Sequence, residues 1–110
     1  MNNQVILIGR IVNELTIDSD TKNCEITIAI SRAFKNEDGI YETDFIPVTL
    51  KGNIAKNVVE YCKKGDIVAI KGRIARTNKP MRILNDDEFT IINEPMQIIA
   101  DKVTFLSSKN

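Results

Sequence analysis

Residues 58–76 read Val-Val-Glu-Tyr-Cys-Lys-Lys-Gly-Asp-Ile-Val-Ala-Ile-Lys-Gly-Arg-Ile-Ala-Arg, and the two halves of this stretch obey different periods. The first half closes an amphipathic helix. Ile54, Val58 and Cys62, flanked by Ala55 and Val59, fall on one stripe at helical spacing. The helix is expected to open at Gly52-Asn53 with Asn53 as N-cap and to stop at Gly65. Lys63 and Lys64 would then sit at the negative end of its dipole. The second half is a β-branched run, Ile67-Val68-Ala69-Ile70, interrupted by Gly72 and resumed at Ile74. Glycine inside such a strand marks a sharp bend or a barrel corner. A short helix feeding a bent strand, with strands on both sides, predicts a small closed barrel with the helix plugging one end.

Working outward, residues 4–12 read as the first strand. Val5, Ile6, Leu7 and Ile8 are apolar without alternation, so both faces are expected to be covered, the second by another copy of the chain. One of Ile6 and Ile8 is expected to act mainly on the barrel core. Gly9 is a second bend position, and Leu15-Thr16-Ile17 would continue the sheet after a kink. Residues 18–23 form a polar turn. Residues 25–32 alternate, with Ile26, Ile28 and Ile30 on one face. Residues 33–40 read as a polar loop turning at Asp38-Gly39. Residues 43–50 are the third strand, with Pro47 at an edge or bulge. Beyond Arg76, residues 81–84 and 88–92 can pair across Asn85-Asp86-Asp87 as a protruding hairpin. Residues 96–106 are the last strand, and residues 107–110 a frayed end. This order, three strands, a helix, then two strands with a long hairpin between them, is the connectivity of an all-β, five-stranded Greek-key barrel of the OB type.

Composition limits the chemistry. The 110 residues carry 15 basic and 15 acidic side chains, so bulk charge selects no partner. There is no histidine, and Cys24 and Cys62 form no metal-spacing motif, so two buried, reduced thiols are expected and no metal or cofactor. With no nucleophile–base pair to be found, an enzyme is not expected. The Met-Asn-Asn-Gln-Val start has neither a basic region nor a long apolar run. A cytoplasmic protein with no membrane partner is therefore expected.

Six pieces, in order, carry a family likeness: Val5-Ile6-Leu7-Ile8-Gly9-Arg10, Ile28-Ala29-Ile30-Ser31-Arg32-Ala33-Phe34, Glu42-Thr43-Asp44-Phe45-Ile46, Tyr61-Cys62-Lys63-Lys64-Gly65, Lys71-Gly72-Arg73-Ile74 and Ile99-Ala100-Asp101-Lys102-Val103. Over residues 4–106 the chain resembles the bacterial single-stranded-DNA-binding (SSB) family. The resemblance implies a single OB domain over residues 1–106, a homodimer or homotetramer, and single-stranded DNA wrapped over outer faces in replication, repair or recombination. Base-stacking rings set among basic side chains suit sequence-blind binding, because every base has a π-face and every nucleotide a charge. Phe34 and Phe45 match two of the family's stacking positions. At the other two this chain has Lys51 and, in the long hairpin, Lys79. The candidate phosphate contacts are Arg10, Arg32, Lys35, Lys51, Arg73, Arg76, Lys79 and Arg82, with Lys63-Lys64 mainly a helix terminus and Tyr41 surface packing. The chain stops without the family's acidic, Phe-ending tip, so no tail-mediated partner is expected. The second reading is an OB-fold adaptor of the primosomal replication protein N type, binding single-stranded DNA weakly.

Overall fold

The computed structural model describes the backbone of residues 1–76, 80–85, 88–93 and 96–108, and the side chains of 1–76 and 96–108. Five strands close a barrel in the order β1-β2-β3-β7-β4: β1 (Val5–Ile11), β2 (Cys24–Lys35), β3 (Tyr41–Leu50), β4 (Ile67–Ala75) and β7 (Gln97–Ser107). Helix α1 (Gly52–Tyr61) lies between β3 and β4 in the chain, and β5 (Pro80–Asn85) pairs with β6 (Glu88–Asn93) as a separate two-stranded sheet. The expected order of elements and the all-β OB-type barrel are what the structure has.

Closure depends on two missing Cβ atoms. A Cβ on Gly9 would lie 2.3 Å from Ile28 Cγ2 and 2.5 Å from the Ala29 carbonyl oxygen, where β2 crosses against β1. One on Gly72 would lie 2.3 Å from the Ile99 carbonyl oxygen, at the bulge between Lys71 and Gly72 where β4 bends along β7. Both glycines allow backbone to approach backbone at a corner, as their places in β-branched runs predicted. β7 then runs antiparallel to β4 and meets β3 in parallel at Val48↔Ile98 and Thr49↔Ile99. Pro47 sits just before that pairing, where β3 has only β2 beside it.

Strand alternation fills the interior. Ile11, Ile26, Ile28, Val48, Leu50, Val68 and Ile70 are buried there. Each such side chain contributes about 1.5–3 kcal/mol of transfer free energy. Ala55 and Val58 of α1 close one end, with Ile54, Val59 and Cys62 packed around them, so the stripe read from the sequence is the plug. Cys24 is buried and Cys62 half-buried; both are free thiols, and desolvation pushes both above the usual thiol range.

Several boundaries differ from expectation, for local reasons. The helix stops at Tyr61, because Cys62 is already extended while its N–H still reaches the Val58 carbonyl at 2.8 Å. Lys63 and Lys64 therefore lie in the following turn, not in the helix. That turn is closed by Asp66, whose Oδ2 accepts from the Lys63 N–H at 2.9 Å, and by Gly65 at φ 100°. At the other end Lys51, not Asn53, is the N-cap, without a side-chain bond; Gly52 at φ 56° makes the turn instead. Leu15-Thr16-Ile17 is not a strand. Asn13 ends the β1–β2 ladder by accepting from the Thr27 N–H at 2.8 Å and donating to the Glu25 carbonyl at 3.0 Å. Ser107 is the last residue of β7, paired with Ile67, not the start of a frayed end. Finally, β2 runs on to Lys35 and β3 starts at Tyr41, so residues 33–35 of the expected 33–40 loop belong to a two-stranded ribbon and residues 36–40 form its turn. Its tip is pinned by Asn36 Oδ1, which accepts from the N–H groups of Asp38 at 2.9 Å and Ile40 at 3.0 Å, with Gly39 at φ 77°.

Candidate nucleic-acid interface

The outer face of the β2–β3 ribbon carries a row set by the two-residue strand period. Ile46, Val48 and Leu50 turn toward the core, which leaves Phe45, Pro47 and Thr49 outward. Phe45 is 63% exposed, and the residue directly across from it is Ala29. The neighbouring cross-strand pairs, Ser31↔Thr43 and Thr27↔Pro47, are small as well. The ring therefore stands on a low floor, with room for a flat group above it. Six residues beyond Phe45, just past the end of β3, Lys51 is exposed in extended backbone.

At the ribbon's distal end, the β2–β3 register shifts between Ser31 and Lys35, and the strand there makes a bulge. Phe34 lies in it, 85% exposed, which excludes a core role for this ring. Past the bulge Lys35 faces Tyr41, with its Nζ 5.6 Å from the ring centroid. Tyr41 is half-exposed and shares the Phe45 side of β3.

The candidate cations divide into paired and unpaired. Arg32 donates from Nε and Nη2 to Asp44 at 3.1 and 3.0 Å, and from Nη1 to Glu42 at 2.6 Å. Hydrogen bonding to Arg32 holds the Asp44 carboxyl below the usual carboxylate range, and the same bond holds the guanidinium above its own. Arg73 donates to Asp101 at 2.6 Å, and Arg10 to the Gly65 carbonyl at 2.6 Å. Among the described residues, Lys35, Lys51 and Arg76 are exposed and take part in no ion pair. Lys79 and Asp86-Asp87 lie outside the described residues. Arg82 and Glu88 lie on β5 and β6, with their side chains outside the description. No group of three or more metal-binding side chains is present among the described residues, and no described helix is long and apolar enough to cross a membrane.

A second exposed face has different chemistry. Along β1, Val5 and Leu7 are half-buried and Leu7 packs on the core, while Ile6 and Ile8 are 65% and 56% exposed. Ile6 and Ile8 thus point the same way, outward, which corrects the expectation that one of them serves the core; residues two apart on a strand share a face. Among the described residues, β1 pairs between Val5 and Gly9 only with β4, since its register with β2 is confined to Arg10↔Ala29 and Ile11↔Ile28.

Sequence reasoning missed two things. With β3 expected to start at Thr43, Tyr41 reads as surface packing, but β3 begins at Tyr41, which puts it in the Phe45 row. The carboxylates opposite Arg32 and Arg73 were not paired with them, although Glu42 and Asp44 stand in the same motif as Phe45.

Residues 2–106 match the Single-strand binding protein family. The chain is 36% identical to Single-stranded DNA-binding protein 1 of Clostridium acetobutylicum, over 97% of this chain and 96% of that one. It is 33% identical to Single-stranded DNA-binding protein B of Bacillus subtilis, over 99% and 94%. Among solved structures, the Plasmodium falciparum SSB complex with ssDNA superposes with TM-score 0.68 at 20% identity, covering 97% of this chain and 96% of that one. The small single-stranded DNA-binding protein from Streptomyces coelicolor superposes with TM-score 0.62 at 15% identity, over 96% of both. The barrel is therefore shared with these structures, and by its sequence the chain belongs to the single-strand binding protein family.

Proposed function

We propose that this protein binds single-stranded DNA without reading its sequence, in replication, repair or recombination, as a self-associating barrel. The supporting observation is Phe45, exposed above Ala29, with the unpaired Lys51 just past the end of the same strand. A ring on a low floor accepts the π-face of any base, and the lysine neutralises a phosphate and releases its counterion. The names of the curated relatives point the same way. Phe34 supplies a further ring, and Lys35 and Arg76 further free charge. Lys79 and Arg82 remain candidates from the sequence. Arg10, Arg32 and Arg73 enter as weaker contacts, since each is already engaged within the chain. Binding, not catalysis, is the activity proposed, and no cofactor is needed for it.

Self-association runs through the outward Ile6 and Ile8, with the open edge of β1 beside them. Two exposed isoleucines next to an unpaired strand edge favour a second copy laid along β1, giving a dimer that can double to a tetramer.

Titrating labelled oligo-dT against duplex DNA of equal length, at two salt concentrations, tests the reading. Single-strand preference that is lost in Phe45→Ala supports it. Equal weak affinity for both forms, unchanged in Phe45→Ala, would favour the adaptor reading. One observation speaks for that second reading: Glu42, Asp44 and Asp101 cancel two of the arginines placed at the interface.

A further inference from the structure

We infer that Tyr41, with Lys35 lying over its ring, is an additional base-stacking position at the tip of the β2–β3 ribbon. This rests on the single-strand reading above and extends it to a residue that the sequence assigned to packing. Three observations carry it. First, Tyr41 and Phe45 stand on one side of β3, four residues apart, or about 13 Å at the strand rise, too far for one base to touch both rings. A strand following the row from Lys51 past Phe45 would therefore reach Tyr41 with a different base. Second, Tyr41 is half-exposed, and Lys35 Nζ sits 5.6 Å from its centroid. The ammonium can hold one face of the ring by cation–π attraction while the other takes a base, and it places a positive charge where the next phosphate would lie. Third, the backbone beneath Tyr41 is braced. The adjacent Glu42 accepts from Arg32 Nη1 at 2.6 Å and from Asn36 Nδ2 at 3.2 Å, and Asn36 also pins the turn. The carboxylates that remove Arg32 from phosphate binding thus hold the ribbon in shape under the ring, and a braced platform loses less entropy when DNA binds.

The composition provides a direct probe. The chain has no tryptophan and two tyrosines, Tyr41 and Tyr61, so its intrinsic emission is tyrosine emission. In full-length Tyr61→Phe, emission comes from Tyr41 alone, and titration with oligo-dT, followed in parallel by anisotropy of the labelled DNA, should quench it as binding saturates. Tyr41→Ala should lose roughly tenfold in affinity with its salt slope unchanged, while Tyr41→Phe keeps its affinity. Lys35→Ala should instead lower the salt slope by about 0.7. A thermal unfolding curve matching the parent's excludes misfolding as the cause in Tyr41→Ala. Saturation by anisotropy with unchanged Tyr41 emission, together with parental affinity in Tyr41→Ala, overturns the inference and leaves the Phe45 site standing. If the parent chain shows no oligo-dT binding even at low salt, the single-strand reading fails and the inference falls with it.

Discussion

Among the exposed large side chains of the described residues, the rows on β1 and β3 are of opposite kinds. On β1 the row is Ile6 and Ile8, aliphatic, beside a backbone edge that no described strand pairs with. On β3 it is Phe45 and Tyr41, aromatic, with the exposed Lys51 at one end and Lys35 over the Tyr41 ring at the other. Exposure is similar in the two rows, so exposure alone does not identify a function. An aliphatic side chain recovers free energy only by losing its water, which another protein surface does completely. A ring offers a π-face that can stack on a base while phosphates remain solvated beside a lysine. In the function proposed above, the difference lets the barrel separate assembly from DNA binding by the type of apolar residue it exposes.

The separation can be broken at either row. The largest effect is expected from Ile6→Lys or Ile8→Lys, which would bury an unpaired charge between copies at a cost of several kcal/mol. Sedimentation should show monomer at micromolar concentration, with the circular dichroism of the parent. Leu7→Lys, whose side chain packs on the core, should unfold the barrel instead. A parent chain that sediments as monomer would remove the first half of the comparison.

On the other row, Phe45→Ala and Phe34→Ala should each weaken oligo-dT binding by about 1–3 kcal/mol, the value of one stacked base, with oligomer state unchanged. Fluorescence anisotropy at fixed salt measures this. Loss of assembly in Phe45→Ala would show that the two rows are coupled.

A smaller change is expected at Lys51. Lys51→Ala should reduce the slope of log affinity against log salt by about 0.7, one single-strand phosphate. Lys51→Trp should tighten binding by adding a platform in line with Phe45. No response to either change would put the DNA path off the β3 row.

The smallest effect concerns the paired arginine. Asp44→Asn should partly release Arg32 and steepen the salt slope, with an affinity gain below about 1 kcal/mol, because exposed ion pairs are worth little. The slope is the sensitive readout here, and a shallower one would mean that Asp44 serves the tip's shape more than it withholds Arg32.

The barrel was legible because its signals are steric and local. Alternating isoleucines on β2, the stripe on α1, and Gly9 and Gly72 inside β-branched runs each allow few arrangements. The ribbon was not legible, for a physical reason. Beyond Arg32 and Thr43 the strand residues are Ala33, Phe34, Lys35, Tyr41 and Glu42, all exposed and interrupted by a bulge, so no apolar period marks them as strands. They are held by cross-strand pairs, Arg32 with Glu42 and Asp44, and Lys35 over Tyr41, which depend on register and not on composition. The helix end was misjudged on similar grounds. The glycine predicts a helix up to residue 65, whereas the helix ends at Tyr61, and Gly65 with the Asp66 side chain closes the turn that follows. Of the candidate site, the sequence offers Phe34 and Phe45 as stacking rings and Lys51 as a phosphate contact, and the structure leaves all three exposed. The engagement of Arg10, Arg32 and Arg73 could only be seen in three dimensions.

The bulge between Ser31 and Lys35 separates the two parts mechanically. Upstream of it, β2 is in a register dictated by buried isoleucines, and a slip of one residue would turn them into solvent. Downstream, no buried side chain dictates the register. Adding or removing one residue inside the bulge would rotate the tip by half a pleat, exchanging the side that carries Lys35 for the other, while the barrel keeps every contact. The tip can therefore vary by insertion and deletion as well as by substitution, a freedom that the closed wall of the barrel does not have.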